Sequence, residues 1–346
     1  MADISKIDRN FKVESGINKS DVVFYSALSA PLKVYGVFYE NGSFRRLPEA
    51  VAKTVSAGVY ALHANTAGGR VRFRTDSPYI AIKARMSGLY RAPHFTLCGS
   101  AGFDLYVGTE YTATFMPPYD MDGGYEKVVE LGEGIMRDIT IDLPLYSGID
   151  ELYIGLKAGS EVCEPKPYRI EKPIVYYGSS ITQGGCASRP GNSYQGFVTR
   201  ALDVNHTNLG FSGNAKGERE ISDYIKGLDM TAFVYDYDYN APTPEHLEAT
   251  HERMFLEIRE ANPELPIILM SRPWVNLNDV WLRRLAIIRK TYENAIARGD
   301  RNVYFIDGRN LMRLAGREGT VDACHPNDLG FFSMASALTD LLSKII

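Results

Sequence analysis

The chain of 346 residues has only four cysteines, two tryptophans and no apolar run near the roughly 20 residues that cross a bilayer. The cysteines are Cys98, Cys163, Cys186 and Cys324. They fall into no CxxC or His/Cys spacing, which argues against a metal centre. The net charge of −4 does not supply the basic face that nucleic acids require. We therefore expect no metal, no membrane span and no nucleic-acid partner, whereas a homo-oligomer is compatible with the sequence.

The first ten residues contain no apolar core of the kind found in secretory signals, so we expect no leader in this sequence. This absence predicts a cytoplasmic protein, or a secreted one if a leader has been removed. Disulfides are rare in a reducing compartment. Free thiols are therefore expected at Cys186 and Cys324, although each lies beside one of the two motifs described below.

The first half of the chain, residues 1–168, is rich in short segments that alternate apolar and polar residues. These strand candidates are Val71–Thr75, Tyr79–Ala84, Tyr111–Phe115, Arg137–Asp142 and Glu151–Leu156. Turn residues such as Asn41-Gly42 separate them at short intervals. Many short strands with little helix between them predict an all-β sandwich, of jelly-roll-like form. The segment Val51–Val59 fits a short helix or a strand.

The second half, residues 169–346, alternates apolar strands with helical patterns. The strand candidates are Ile174–Tyr177, Val204–Leu209, Ala232–Tyr235, Pro266–Met270 and Asn302–Ile306. The helix candidates are Tyr194–Leu202, Pro244–Ala261, Val280–Arg298 and Asp328–Lys344, with Ser193 and Thr243 as N-caps of the first two. This alternation predicts a parallel, flavodoxin-like αβα domain. The two prolines of Glu164–Tyr168 place the domain boundary there.

A serine on a tight turn is the strongest chemical signal. The segment Gly178–Gly184 directly follows the apolar stretch Pro173–Tyr177, which places Ser180 at the carboxyl end of a strand, where open α/β sheets bind ligands. Far downstream, Asp322 and His325 share one short loop. A serine hydroxyl needs an adjacent base, and that base needs an orienting carboxylate. The three residues therefore predict nucleophilic acyl chemistry.

Two further residues follow successive strands and are candidates for stabilising a negatively charged tetrahedral intermediate. Gly213, in Phe211–Asn214, offers a backbone N–H that no side chain shields. Gly210 competes for this role. Asn240 offers a side-chain amide, and the backbone N–H of Ser180 is the third expected donor of the oxyanion hole.

Taken in order, Ser180, Gly213, Asn240 and His325 resemble the residues that name the SGNH hydrolases, also called GDSL esterases or lipases. The first block is similar to Gly178–Gly184, with a serine at 179 where the family usually has an aspartate. The last block matches Asp322-x-x-His325. The third block departs from the usual Gly-x-Asn-Asp, since the chain has Tyr-Asn-Ala at 239–241.

A second resemblance lies in the first half, where Gly102–Tyr106 is similar to the Gly-x-Asp-Leu-Tyr signature of a β-domain that precedes certain SGNH esterases. The two resemblances imply ester hydrolysis without metal or organic cofactor. The substrate that they imply is a sugar carrying a short acyl group such as acetyl. An acyltransferase, a lipid or lysophospholipid esterase and a noncatalytic saccharide-binding protein are the alternatives that stay open.

Five residues are candidates for the substrate pocket. Asp104 and Tyr106 share one face of a strand because side chains alternate along it. Arg189, Arg272 and Trp274 follow predicted strand ends. Each has an ordinary alternative: a hydrogen bond between domains for the first two, a surface position for the arginines and a core position for the tryptophan.

Overall fold

A computed structural model describes residues 16–274 and 278–346. Residues 1–10, on which the expectation about a leader rests, lie outside this range. Within the described residues, no helix combines the length and the apolar character that a bilayer crossing requires.

Two antiparallel sheets pack face to face in the first half. One contains, in spatial order, β1 (Val22–Ser26), β11 (Gly148–Lys157), β6 (Tyr79–Ser87) and β9 (Gly124–Glu130). The other contains β12 (Val162–Cys163), β5 (Arg70–Thr75), β10 (Arg137–Asp142), β7 (Phe103–Val107) and β8 (Glu110–Phe115), with β2 (Lys33–Tyr35) also paired to β5. Alternate residues such as Phe73, Phe103, Ile141 and Ile154 fill the space between the sheets. The predicted β-sandwich is confirmed.

Shorter elements complete this half. A ribbon is formed by β3 (Phe38–Glu40) and β4 (Ser43–Arg45), and three short helices are α1 (Glu49–Val55), α2 (Ala57–Leu62) and α3 (Leu97–Ala101). The segment that the sequence left open, Val51–Val59, spans the junction of α1 and α2. Ser56 divides them, and its hydroxyl accepts a hydrogen bond from the Val59 N–H at 3.1 Å. A capping serine therefore explains why one helix ends and the next begins.

A five-stranded parallel sheet organises the second half. Its strands are β13 (Ile170–Gly178), β14 (Val204–Gly210), β15 (Ala232–Asp236), β16 (Ile267–Met270) and β17 (Val303–Ile306). Their spatial order, β14-β13-β15-β16-β17, is the 2-1-3-4-5 order of flavodoxin-like folds. The helices are α4 (Ser180–Gln183), α5 (Tyr194–Leu202), α6 (Arg219–Lys226), α7 (Pro244–Ala261), α8 (Asp279–Ala297), α9 (Gly308–Leu311) and α10 (Asp328–Leu342).

Helices cover both faces of this sheet. Consecutive residues of β13 point to opposite sides, so that Val175 and Tyr177 pack with α6, α7 and α8, whereas Ile174 and Tyr176 pack with α5 and α10. Strands buried on both faces are expected to be apolar, and β16 (Ile-Ile-Leu-Met) and the first four residues of β15 (Ala-Phe-Val-Tyr) are. The edge strand β14, in contrast, carries Asn205, His206, Thr207 and Asn208. The predicted three-layer αβα domain is confirmed.

The boundaries of two helices agree with the sequence patterns. Both α5 and α7 have the predicted limits, and their predicted N-caps accept hydrogen bonds, Ser193 from the Gly196 N–H and Thr243 from the His246 N–H. Helix α6 was not predicted. The antiparallel strands end at Cys163 and the parallel sheet begins at Ile170; a domain division between residues 168 and 169 is retained as a proposal.

Candidate active site

The predicted serine turn lies where β13 meets α4. The Ser179 hydroxyl caps α4 by accepting a hydrogen bond from the Ile181 N–H at 3.2 Å, so that Ser180 becomes the first residue of the helix. Ser180 is largely buried, with 9% of its surface exposed. The turn needs glycine at 178, because a Cβ there would lie 2.7 Å from Asp236 Oδ1 and closer still to Thr182 Oγ1.

The loop that carries His325 is built around Asp322. One carboxylate oxygen accepts the backbone N–H groups of Cys324 at 3.0 Å and His325 at 2.7 Å, a turn typical of aspartate. The other oxygen lies 2.8 Å from His325 Nδ1, and His325 Nε2 lies 2.9 Å from Ser180 Oγ. With the ring proton on Nδ1, the nitrogen facing Ser180 is an acceptor. The structure thus brings all three predicted residues into one hydrogen-bonded row.

Opposing effects act on the pKa of Asp322. Its partial desolvation raises the pKa, but the hydrogen bonds from the His325 backbone and ring and from the Cys324 N–H together hold it below the ordinary value of 3.8. The carboxylate is therefore ionised at neutral pH and accepts the Nδ1 proton.

The two oxyanion candidates meet at one turn. Asn240 Nδ2 donates to the Phe211 carbonyl at 2.9 Å, and the Phe211 N–H donates to the Gly178 carbonyl at 2.9 Å. Gly213 lies two residues further on, with a φ of +70°. Among the described residues, the backbone N–H groups of Ser180 and Gly213 have no protein acceptor. These donors are therefore available to an oxyanion.

Gln183 is a supporting residue of the candidate site that the sequence did not indicate. Its Oε1 accepts the Ser212 N–H at 3.0 Å, and its Nε2 donates to Asn65 Oδ1 at 3.1 Å and to the Leu145 carbonyl at 3.2 Å. The side chain is fully buried. Gln183 thus connects helix α4 to the turn Phe211–Asn214 (the oxyanion turn) and to the β-sandwich. In the sequence, only its place in the Gly178–Gly184 run hinted at this role.

Arg46 is a second residue that sequence reasoning missed. Only 1% of it is exposed, and its guanidinium donates to the carbonyls of Asn65, Asn208, Gly210 and Leu62. No carboxylate among the described residues pairs with it. Desolvation lowers its pKa to about 9, so that the group keeps its charge at neutral pH. A positive charge therefore lies behind the strand that leads into the oxyanion turn.

Asp104 and Tyr106 lie at the contact between the two halves of the molecule. Asp104 is fully buried and accepts hydrogen bonds from Arg189 Nη1 at 2.7 Å, the Gly191 N–H at 2.8 Å and Thr114 Oγ1 at 2.6 Å. Arg189 Nη1 also donates to the Tyr106 hydroxyl at 2.7 Å. This arrangement favours a hydrogen bond between domains over direct substrate contact for Asp104 and Tyr106. It also places Arg189 in the same contact, instead of at the surface position that was its alternative.

The other two pocket candidates are also held in place. Arg272 forms a buried ion pair with Asp238 at 3.2 Å and stacks on Tyr239, with its guanidinium carbon 4.2 Å from the ring centre. Trp274 is 7% exposed and packs edge-on against Trp281. The core alternative fits Trp274, and Arg272 supports the loops around the site instead of presenting a free charge.

The β-sandwich contributes a loop, residues 88–96, that reaches His325. The ring centres of His94 and Phe95 lie 5.6 Å and 6.5 Å from that of His325. Beside them, Tyr90, Phe95 and Tyr119 line an open cleft of about 350 Å³. A separate cavity near Tyr106 has about 50 Å³, room for a few water molecules only. The aromatic cleft is the larger of these two spaces, and Phe95 connects it to His325.

A flavodoxin-like sheet with a Ser-His-Asp row at its carboxyl edge defines a serine hydrolase of the SGNH type. Residues 171–343 match the model of the GDSL-like lipase/acylhydrolase family. Residues 22–162 match the model described as the N-terminus of SGNH-hydrolase-type esterases, named for its Gly-x-Asp-Leu-Tyr motif. The chain belongs to the GDSL-like lipase/acylhydrolase family, and its class is that of the carboxylic ester hydrolases.

Similar solved structures agree with this assignment. A putative GDSL-like lipase from Bacteroides ovatus is 30% identical, with a TM-score of 0.83 over 94% of this chain and 98% of that one. A salicylyl-acyltransferase from a tetracycline biosynthetic pathway is 22% identical, with a TM-score of 0.77 and the same coverage. An acetyl xylan esterase from the rumen bacterium Butyrivibrio proteoclasticus is 14% identical, with a TM-score of 0.59 and the same coverage. No curated protein matches the chain.

Proposed function

We propose that this hydrolase removes a short acyl group, such as acetyl, from a carbohydrate through an acyl-enzyme on Ser180. The observation that carries the catalytic part is the hydrogen-bonded row from Ser180 Oγ through His325 to Asp322, at 2.9 Å and 2.8 Å. Ester hydrolysis by a serine nucleophile depends on this arrangement, in which the nucleophile, the base and the orienting carboxylate lie within hydrogen-bond distance of one another.

In this mechanism, Ser180 Oγ attacks the ester carbonyl while His325 Nε2 takes the hydroxyl proton. Asp322 keeps the ring oriented and stabilises the imidazolium. The oxyanion accepts hydrogen bonds from the backbone N–H groups of Ser180 and Gly213 and from Asn240 Nδ2. His325 then returns its proton to the departing alcohol. Water attacks the acyl-enzyme, again losing a proton to His325, and the acid and free serine are released.

The aromatic cleft supports a carbohydrate as the alcohol part. Tyr90 and Tyr119 expose 47% and 89% of their surfaces beside Phe95, so that flat apolar faces border the approach to His325. Such faces suit the C–H side of a sugar ring, with polar groups at the rim giving orientation. The fold is shared with an acetyl xylan esterase, which adds support at the level of the fold.

The substrate part is tested by comparing acetate release from acetylated sugars with release from p-nitrophenyl acetate. Replacing the cleft ring in Tyr119→Ala is expected to lower kcat/KM for the sugar ester about tenfold or more, because the sugar loses its stacking surface, and to leave p-nitrophenyl acetate within about twofold. Tyr39→Ala, at a tyrosine that is 42% exposed and lies outside the cleft, is the matched control. Equal losses on both substrates would contradict a sugar site in the cleft.

The fold shared with an acyltransferase makes the fate of the acyl group a second measurable point. Product analysis in the presence of competing alcohols is expected to show free acid. If an alcohol is acylated in preference to water, the reaction at Ser180 is acyl transfer and not hydrolysis. If long-chain glycerol esters are hydrolysed in preference to acetylated sugars, the substrate is a lipid and not a carbohydrate.

A further inference from the structure

We propose that His94, Cys186 and His325 form a binding site for a soft divalent metal ion such as Zn²⁺, and that the bound ion switches the hydrolase off. One nitrogen or sulfur atom from each residue lies within 4.8 Å of the other two. The binding part stands by itself, and only the inhibitory part rests on the proposed role of His325.

The spacing of the three ligand atoms is within reach of a tetrahedral zinc site. Zinc binds histidine nitrogen at about 2.0–2.1 Å and cysteine sulfur at about 2.3 Å, which separates neighbouring ligand atoms by about 3.3–3.6 Å. Because the ligand atoms lie within 4.8 Å of one another, closing the cluster onto an ion requires each pair to approach by about 1.5 Å at most. His94 is half-buried on the loop of residues 88–96, and rotation of its side chain supplies this movement.

Two of the three ligands are free to bind. Among the described residues, neither the ring nitrogens of His94 nor the sulfur of Cys186 makes a hydrogen bond. The remaining histidines are engaged: His63 with Arg45, His206 with Thr199 and Arg70, His246 with the Lys216 carbonyl and His251 with Thr291. His94 thus differs from them in having no hydrogen-bond partner of its own.

A second cluster shares His325 but is less suited to a metal. Asp322, Cys324 and His325 also lie within 4.8 Å of one another. The Asp322 carboxylate, however, already accepts two backbone N–H groups and the His325 ring. The first cluster offers two imidazoles and a thiol from three separate segments. Nitrogen and sulfur ligands of this kind favour zinc, whereas calcium and magnesium prefer oxygen ligands.

Occupancy of this site removes the base from the esterase. The ion takes the Nε2 lone pair of His325, to which the Ser180 hydroxyl otherwise donates. The Cys186 thiol binds as thiolate and releases its proton to the solvent, and no group is oxidised or reduced. Ser180 then has no acceptor for its proton, and hydrolysis stops until a chelator withdraws the ion.

Binding is measured with Co²⁺ as a coloured probe and Zn²⁺ as competitor, under a phosphine reductant. The full chain is expected to take up one Co²⁺ with a thiolate-to-cobalt absorption band that Zn²⁺ abolishes. Cys186→Ser should lose the band and His94→Gln should raise Kd at least tenfold, whereas Cys324→Ser and Cys163→Ser should keep it. A band that survives Cys186→Ser, or no band in the unmodified chain, would overturn the site.

Inhibition is measured as the Zn²⁺ concentration that halves esterase activity, with each variant normalised to its own activity in chelator. Cys186→Gly is included because Cys186 has a φ of +72°, which glycine adopts without strain. Both Cys186 variants should need at least tenfold more Zn²⁺. Cobalt binding without inhibition would overturn the switch. An intact cobalt spectrum in a chain without esterase activity would contradict the proposed function and leave the metal site standing.

Discussion

At the scale of single residues, the imidazole of His325 is held from both sides, by Asp322 and by Ser180. Members of the family usually carry an aspartate at the position of Ser179. Here the serine hydroxyl caps helix α4, a role that serine and aspartate fill equally well. In the proposed mechanism the orienting carboxylate is that of Asp322, whose three hydrogen bonds hold both the loop and the His325 ring.

Replacing that carboxylate by an amide tests its role. Asp322→Asn is expected to lower kcat by about 10²- to 10⁴-fold, because the amide no longer accepts the Nδ1 proton and the ring adopts the wrong tautomer. Steady-state kinetics on p-nitrophenyl acetate measure the effect. Asp340→Asn, at a carboxylate that is 58% exposed, is the control. A loss below about tenfold would mean that another group orients His325.

A buried acid behind the serine turn gives a prediction about pH. Desolvation and the nearby charge of Asp238 raise the pKa of Asp236 to about 8, although hydrogen bonds from Thr182 and the Ser179 N–H oppose the shift. Because this value lies above the unfolded one, unfolding releases a proton between about pH 4 and pH 8. The contribution of this group to stability is fully present below about pH 4 and is lost as pH rises towards 8.

Asp236→Asn, which stays neutral and keeps the shape, removes this pH dependence. The variant should gain stability relative to the unmodified chain as pH rises from about 5 to about 8. Urea unfolding at the two pH values measures the difference. Asp229→Asn, at a carboxylate that is 75% exposed, is the control. If the free energy of unfolding of Asp236→Asn relative to the unmodified chain stays constant or falls as pH rises, Asp236 is ionised in the folded chain.

At the scale of elements, the turn between β13 and α4 depends on close packing against β15. A Cβ at Gly178 would lie 2.7 Å from Asp236 Oδ1 and 2.8 Å from the Asp236 carbonyl oxygen, distances that force a shift of backbone. At Gly227, after helix α6, an added Cβ has its nearest contact at 3.6 Å, and φ is −89°. The two glycines therefore differ in what they tolerate.

Gly178→Ala is expected to displace Ser180 and to lower kcat at least about 10²-fold, with a loss of stability of about 1–3 kcal/mol from overpacking. Gly227→Ala should leave activity within about twofold. Kinetics and urea unfolding measure both. Full activity in Gly178→Ala would contradict the account of how the turn positions the serine.

Local signals explain which elements the sequence predicts well. Helix α7 begins with Pro244 after the capping hydroxyl of Thr243, and both of its ends agree with the pattern. Helix α6 was missed because it has only eight residues and no side-chain cap at its N-terminus. The contact between Asp322 and His325 was predictable from their short spacing, because a turn is also a local feature.

Long-range contacts explain what the sequence could not predict. The approach of His94 to His325 and the burial of Arg46 under the oxyanion turn join the sandwich to the hydrolase domain. No periodicity or spacing encodes such contacts, because they depend on how the two domains pack. The family resemblance supplied the residue order of the site, and the roles assigned to Gly213 and Asn240 stay predictions.

At the scale of the whole molecule, the Gly-x-Asp-Leu-Tyr motif joins the two halves. Asp104 pairs with Arg189 at 2.7 Å, and the Arg189 guanidinium carbon lies 3.8 Å from the Tyr111 ring centre. The neighbouring loop ends in the short 3₁₀ turn Pro190–Asn192 and leads into helix α5. A buried, hydrogen-bonded charge pair of this kind is costly to break from either side.

A double-mutant cycle on Asp104→Asn and Arg189→Met measures this contact. The two changes are expected to show a coupling of at least about 1 kcal/mol in the free energy of unfolding, because each removes the partner of the other. Arg85→Met, combined with Asp104→Asn, provides an arginine on the opposite sheet as control. Additive effects for Asp104 and Arg189 would show that the contact does not hold the domains together.

We propose that Ser180 carries the acyl group, and covalent trapping of this serine tests the proposal. The full chain is treated with an active-site-directed organophosphonate, and the labelled peptide is identified by mass spectrometry. We expect one adduct, on Ser180, that is absent in Ser180→Ala and much slower to form in His325→Ala. Retained esterase turnover in purified Ser180→Ala, or an adduct on another residue in the unmodified chain, would contradict it.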